Sequence, residues 1–142
     1  MTYGTVAAGK VAVIDGHTNT VVATTAVGAD AAGVAVNPQT NTAYATVAFH
    51  SRAELNGQTN QIESGIGGLG SEPSAVAVNP NTDTVFVTDM VDNTLTQADA
   101  AANTVTATVV VGHQPQGVAV NPATTKIYVA NFASGTVSVL RP

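Results

Sequence analysis

Apolar residues in this chain fall in short runs of Val, Ala, Thr and Tyr that alternate with polar positions and are cut by Gly, Asn, Asp and Pro. Such period-two runs of about five to seven residues predict strands, with turns at the punctuation. In the middle of the chain, Ala75–Val78 predicts a first strand and Asn79-Pro80-Asn81-Thr82-Asp83 a turn. An Asn there starts an Asx turn, and Pro presets the next φ. Thr84–Thr88 and Thr94–Ala98 predict the second and third strands, Ala101-Ala102-Asn103 a further turn, and Thr104–Val110 the fourth strand. No segment sustains a 3.6-residue apolar stripe, which excludes a helical solenoid.

The pattern recurs. VAVNP stands at Val34–Pro38, Val76–Pro80 and Val118–Pro122, a spacing of 42 residues each time. GVAVNPQTNTAYAT, AVAVNPNTDTVFVT and GVAVNPATTKIYVA align without a gap, as do the preceding VGADAAG, LGSEPSA and VGHQPQG. Four short antiparallel strands in a period of about 40–45 residues describe a propeller blade, whose two faces are covered by its neighbours. The expected class is therefore all-β, as one repeat domain: a partial blade over 1–32, blades over 33–74 and 75–116, and a partial blade over 117–142. Gly33, Ala75 and Gly117 open the first strand, where crowding beside a central channel favours small side chains. A length of 142 holds about 3.4 periods of 42, fewer than the four to eight blades of a ring. The expectation is a homodimer or higher homo-oligomer that completes the ring. A longer protein or an open filament are the alternatives.

The strings VIDGHTNTVVAT, VGHQPQG and IYVANFASGTVSVL resemble the YVTN-type β-propeller repeat over essentially the whole chain. The resemblance is weaker at AFHSRAEL around Phe49 and at Ile66–Ser71. It implies a propeller and a kinship with cell-surface and secreted repeat proteins, hence an extracellular or cell-surface location. It also shades into lactonase-like and antibiotic-lyase propellers, so the fold does not choose an activity.

Composition narrows the partners. Only 9% of residues are charged and the formal net charge is -5, with no basic run to neutralise phosphates, so nucleic acid is not an expected partner. No apolar run approaches the roughly 20 residues of a membrane span. The opening MTYGTVAAGK lacks a signal-peptide pattern. The absence of Cys removes disulfides, thiolate zinc sites and a Cys nucleophile.

Candidate chemistry sits where the D–A and B–C loops of successive blades share one end. Asp30, Glu72 and Gln114 are equivalent, Asp89 and Asn131 correspond to Val47, and His113 adjoins Gln114. Asp30, Glu72, His113, Gln114, Asp89 and Asn131 form the expected ligand-binding set at the channel mouth, for a small ligand or a protein. Converging carboxylates could hold a hard cation or perform acid–base work, but none is at metal spacing and no cofactor is expected. No GxSxG, HExxH, Walker or GxGxxG signature is present. GIGGLG at Gly65–Gly70 precedes a strand rather than a helix and reads as a strand-end relaxer. His17 reads as an exposed turn residue, Phe49 and Met90 as apolar loop residues for packing or an interface, and Arg52 with Glu54 as a surface pair. The expected role is a non-enzymatic binding or assembly module. The alternative is a propeller enzyme acting through His113 with Glu72 or Asp30.

Overall fold

Each repeated Asn-Pro is a turn built from its own side chain. Asn37, Asn79 and Asn121 accept at Oδ1 from the backbone N–H two residues on: Gln39 at 2.9 Å, Asn81 at 3.1 Å and Ala123 at 3.0 Å. Each turn closes on a left-handed residue, Asn41, Asp83 or Thr125, with φ of 54°, 50° and 57°. Asn and Asp tolerate that region better than other side chains do. Asp15 and Asn56 cap the later hairpins in the same way, and Asp99 accepts from the N–H three residues on, at Ala102. His17 is exposed and donates its N–H to Asp15.

These turns join antiparallel meanders. The structure, a computed structural model, describes residues 1–6, 9–28, 30–47 and 51–141, with the backbone alone at 5–6 and 51–55. Phe49 and His50 lie outside the described residues, as do the side chains of Arg52 and Glu54. Among the described residues there are strands and no helix. Sheet 1 holds β1 (Thr2–Val6), β2 (Lys10–Asp15) and β3 (Thr20–Ala26). Sheet 2 holds β4 (Ala31–Asn37), β5 (Thr42–Val47), β6 (Ser51–Asn56) and β7 (Ile62–Ser64). Sheet 3 holds β8 (Pro73–Asn79), β9 (Thr84–Asp89), β10 (Thr94–Asp99) and β11 (Thr104–Val110). Sheet 4 holds β12 (Pro115–Val120), β13 (Ile127–Asn131) and β14 (Thr136–Leu140). The first strand of sheets 2, 3 and 4 starts two residues ahead of the repeat boundary read from the sequence, at Ala31, Pro73 and Pro115. None of the four sheets closes on itself.

Neighbouring sheets meet through their first and second strands: β4 lies beside β8, and β8 beside β12. In sheet 3 exposure runs from the largely buried β8 and β9 to β11, exposed at every residue. The core is therefore three seams between sheets. Val11 of sheet 1 packs on Ala43, Ala45 and Val47; Tyr44 of sheet 2 on Val76, Val78, Val85, Val87 and Ala98; and Phe86 and Leu95 of sheet 3 on Ile127 and Val129. Hydrogen bonds between residues about one period apart lock the seams. Asn37 donates Nδ2–H to Asp83 Oδ1 at 2.7 Å, Gln39 donates to Asn81 at 3.2 Å, and Ser74 Oγ donates to the Pro115 carbonyl at 2.7 Å.

The gapless register of the sequence does not survive intact in the structure. In sheet 3, Val87 pairs with Thr96, but the corresponding pair in sheet 2 is Ala45 with Ala53, one residue earlier. The left-handed residue of the following turn is likewise Asn60 rather than position 61, whereas Asn19 and Asn103 keep the period. The Gly-rich segment restores it. β7 has three residues where β11 has seven, and Ile66 and Leu69 drop into the core beside Tyr44. GIGGLG is thus a spacer with two apolar anchors. β1 slips as well. Tyr3 pairs with Val13 rather than with Ala12, and a one-residue slip moves each side chain to the other face. Tyr3 accordingly packs with Val11 against sheet 2.

Gly33 marks the closest approach between sheets. A Cβ there would lie 3.1 Å from Ala75 Cα and 3.2 Å from the Ser74 carbonyl, so β4 could not keep its distance from β8. Gly117, at the same repeat position, would meet only Ala130 Cβ at 3.4 Å. Gly33→Ala is expected to cost about 1–3 kcal/mol by overpacking, and Gly117→Ala about 0.5 kcal/mol or less, as measured by denaturant unfolding. Burial raises the pKa of the Tyr3 phenol above its ordinary value, so the fold favours the neutral ring. That contribution is complete below the unfolded-state pKa of about 10 and is lost as pH rises through the higher folded value. The alkaline fall in thermal stability should be smaller in Tyr3→Phe than in the parent chain.

Candidate functional site

The connections between sheets and the turns after each second strand share one edge of the molecule, joined by recurring backbone bonds. Met90 N–H donates to the Glu72 carbonyl at 3.1 Å, and Phe132, one period later, to the Gln114 carbonyl at 3.0 Å. Met90 itself is half-buried. The inter-sheet connection thereby lies against the B–C turn at the end of the second strand, as the repeat predicts.

Asp89 is fully buried at the end of β9 and takes up three backbone donors. Its Oδ2 accepts from Glu72 at 2.6 Å, and its Oδ1 accepts from Val91 at 2.9 Å and Asp92 at 2.7 Å. The carboxylate thus binds the connection to the turn. Gly70 leaves room for it, since a Cβ at that position would collide with the Asp89 side chain. Asn131 does the reduced version of the same work. Its Oδ1 accepts from Gly112 at 3.0 Å, and its Nδ2 donates to Thr136 at 3.2 Å and Ser138 at 2.9 Å. Gly28, Gly70 and Gly112 are one period apart, and each faces Val47, Asp89 or Asn131 in turn. An outer clasp repeats too: Ser71 donates its N–H and hydroxyl to Asp92, and His113 donates its N–H to Ser134 Oγ at 2.7 Å. Gln114 donates its N–H to Asn93 Oδ1 at 2.8 Å, tying sheet 4 to the turn of sheet 3.

The six residues expected at this edge therefore divide. Asp89 and Asn131 are buried and committed to loop structure. Asp30, Glu72, His113 and Gln114 are exposed, with Asp30 and Gln114 both in the left-handed region at φ 48°. Hydrogen bonds bring Glu72 to Asp89, and the Gln114 connection to the turn after Asn131. Among the described residues, no three His, Asp or Glu side chains are close enough to share a metal ion, so the geometry does not draw the exposed acids into one centre.

Sequence reasoning missed the concave surface beside this edge. Gln116, Gly117, Ala130, Phe132, Gly135 and Val137 are among the residues lining an open hollow of about 410 Å³ on sheet 4, with Asn131 at its rim. Phe132, Val137 and Val139 are all strongly exposed. The signal was available in the repeat. Tyr128 and Val137 occupy the positions of Phe86 and Leu95, which are buried in sheet 3, and the hollow lies where a following sheet would sit.

Asp89→Ala would leave three backbone donors without their acceptor and is expected to cost roughly 2–4 kcal/mol. Asp89→Asn, which keeps one amide oxygen, should cost less. Denaturant unfolding of the two variants measures the difference.

No family model matches the chain, and no curated protein matches it. Among solved structures, it is similar to hydrazine synthase from Kuenenia stuttgartiensis, with a TM-score of 0.75 and 19% identity. The likeness covers 94% of this chain and 44% of that one, so the chain spans less than half the length of the protein it resembles. At this identity the likeness concerns the fold: an all-β chain of successive antiparallel sheets.

Proposed function

We propose that the four sheets are propeller blades of the YVTN-type repeat, and that the chain is a non-enzymatic assembly and binding module whose ring is completed by further copies of itself. Support for the blades comes from the four-strand meander of sheets 2 and 3, the contact of their first strands, and the exposure of β11. The observation that carries the assembly is the fate of one repeat position. Tyr44 and Phe86 are 1% and 2% exposed, while Tyr128 is 37% exposed. Leu95 is 3% exposed, while Val137, its counterpart, is 62%. A side chain selected for a seam is left in solvent in sheet 4. Burying Tyr128, Val137 and Val139 would each contribute on the order of 1–2 kcal/mol.

A binding role rests on the exposed Glu72, His113 and Gln114 at the loop edge, which would ring the mouth of the closed assembly. The resemblance to secreted repeat proteins makes an extracellular or cell-surface setting part of the proposal. An acid–base reading through His113 with Glu72 or Asp30 has less support, because all three are exposed and no three His, Asp or Glu side chains converge among the described residues.

Light scattering over a range of concentrations should return a multiple of the 14.2 kDa protomer, and electron microscopy of that species should show a ring with an axial channel. A 14.2 kDa particle at every concentration would defeat the assembly.

A further inference from the structure

The seams between sheets have a direction. The forward face of sheet 2 carries Tyr44 and that of sheet 3 carries Phe86 and Leu95, each seated on the rear face of the next sheet. In sheet 4 the forward face carries Tyr128, Ala130, Val137 and Val139, all exposed. Asn121 is exposed too, although its counterparts Asn37 and Asn79 are buried. No sheet of this chain covers that face.

The same chain has a rear face with no sheet behind it, on sheet 1. There the slip of β1 has a specific effect. With Tyr3 turned forward, Gly4 pairs with Ala12 and Thr2 with Ile14 on the rear. In sheet 3 the corresponding pairs are Val87 with Thr96 and Val85 with Ala98, and those two valines receive Tyr44. Where an internal rear face presents valine, sheet 1 presents glycine, and a Cβ at Gly4 would meet nothing within 4 Å. The rear face of sheet 1 is therefore recessed at the point where an incoming forward face carries its aromatic ring.

We infer that the forward face of sheet 4 in one copy docks on the rear face of sheet 1 in a second copy, with Tyr128 seated in the recess over Gly4. This rests on the assembly reading and specifies its joint. The occupant is a second copy because one chain carries both faces, and because the joint repeats the second- and third-strand part of the seam that receives Tyr44 at Val85, Val87 and Ala98, while sheet 1 has no first strand to repeat Val76 and Val78. Such a contact is head-to-tail, so it closes into a ring or runs on as a filament according to its angle.

The test uses the full chain in sedimentation velocity, with far-UV circular dichroism to follow the fold. Gly4→Phe fills the recess and is expected to weaken association at least tenfold with the strand signal unchanged. Val137→Lys, on an exposed position, should do the same, and it carries the test if Gly4→Phe loses its strand signal. Val105→Lys on the outer strand β11 should associate like the parent chain. If the parent associates and Val137→Lys associates equally well, the joint lies elsewhere and the inference falls while the assembly reading stands. A parent chain that stays at 14.2 kDa overturns both.

Discussion

Sheets made largely of Val, Ala and Thr bury their apolar faces here against one another, along three seams between four sheets. Strand pairing within a meander satisfies the backbone, but it leaves apolar faces that must be buried. Burial of an aliphatic or aromatic side chain contributes about 1.5–3 kcal/mol, and here that burial occurs between sheets, as with Tyr44 against Val85 and Val87 or Phe86 against Ile127 and Val129. The cross-links Asn37 to Asp83, Gln39 to Asn81 and Ser74 to Pro115 add little energy individually. Their value is register, since each ties a residue to a partner about one period away. The stack behaves as a one-dimensional array in which each unit is stable only beside its neighbours.

The polar residues mostly serve that array. Asn at the first turn, Asp or Asn at the third, and Asp89 at the second each accept backbone N–H groups that no strand can pair. This explains why so few charges are needed and why an acid at a loop edge is weak evidence of chemistry. Asp89 and Val47 occupy the same repeat position with opposite polarity, so the carboxylate is a local solution for one connection. What remains free for recognition at that edge is the exposed set of Asp30, Glu72, His113 and Gln114.

Strand existence and order were legible in the sequence because period-two runs and Asn-Pro turns are local signals. Thr84–Asp89 and Thr104–Val110 match their expected limits within a residue. The shared edge of the loops at Glu72 and Asp89 was legible from the repeat. Two things were not. The slips in β1 and β6 depend on pairing between strands, which a spacing of 42 cannot report. The burial of Asp89 and Asn131 was equally hidden, because whether a polar side chain faces solvent or its own loop depends on Gly70 and Gly112, whose role emerges only in three dimensions.

The near-contact at Gly33 has a geometric consequence. Backbone meets backbone at the first strands of sheets 2 and 3, while Tyr44 holds their second strands apart, so this pair of sheets is a wedge whose apex is set by a missing methyl and whose width is set by a ring. In the proposed ring, the angle of such a wedge would fix how many sheets complete a full turn. Side-chain volume at two positions of the repeat would then act as a curvature setting, and trading bulk between them would change the circumference of such a ring without altering a single strand.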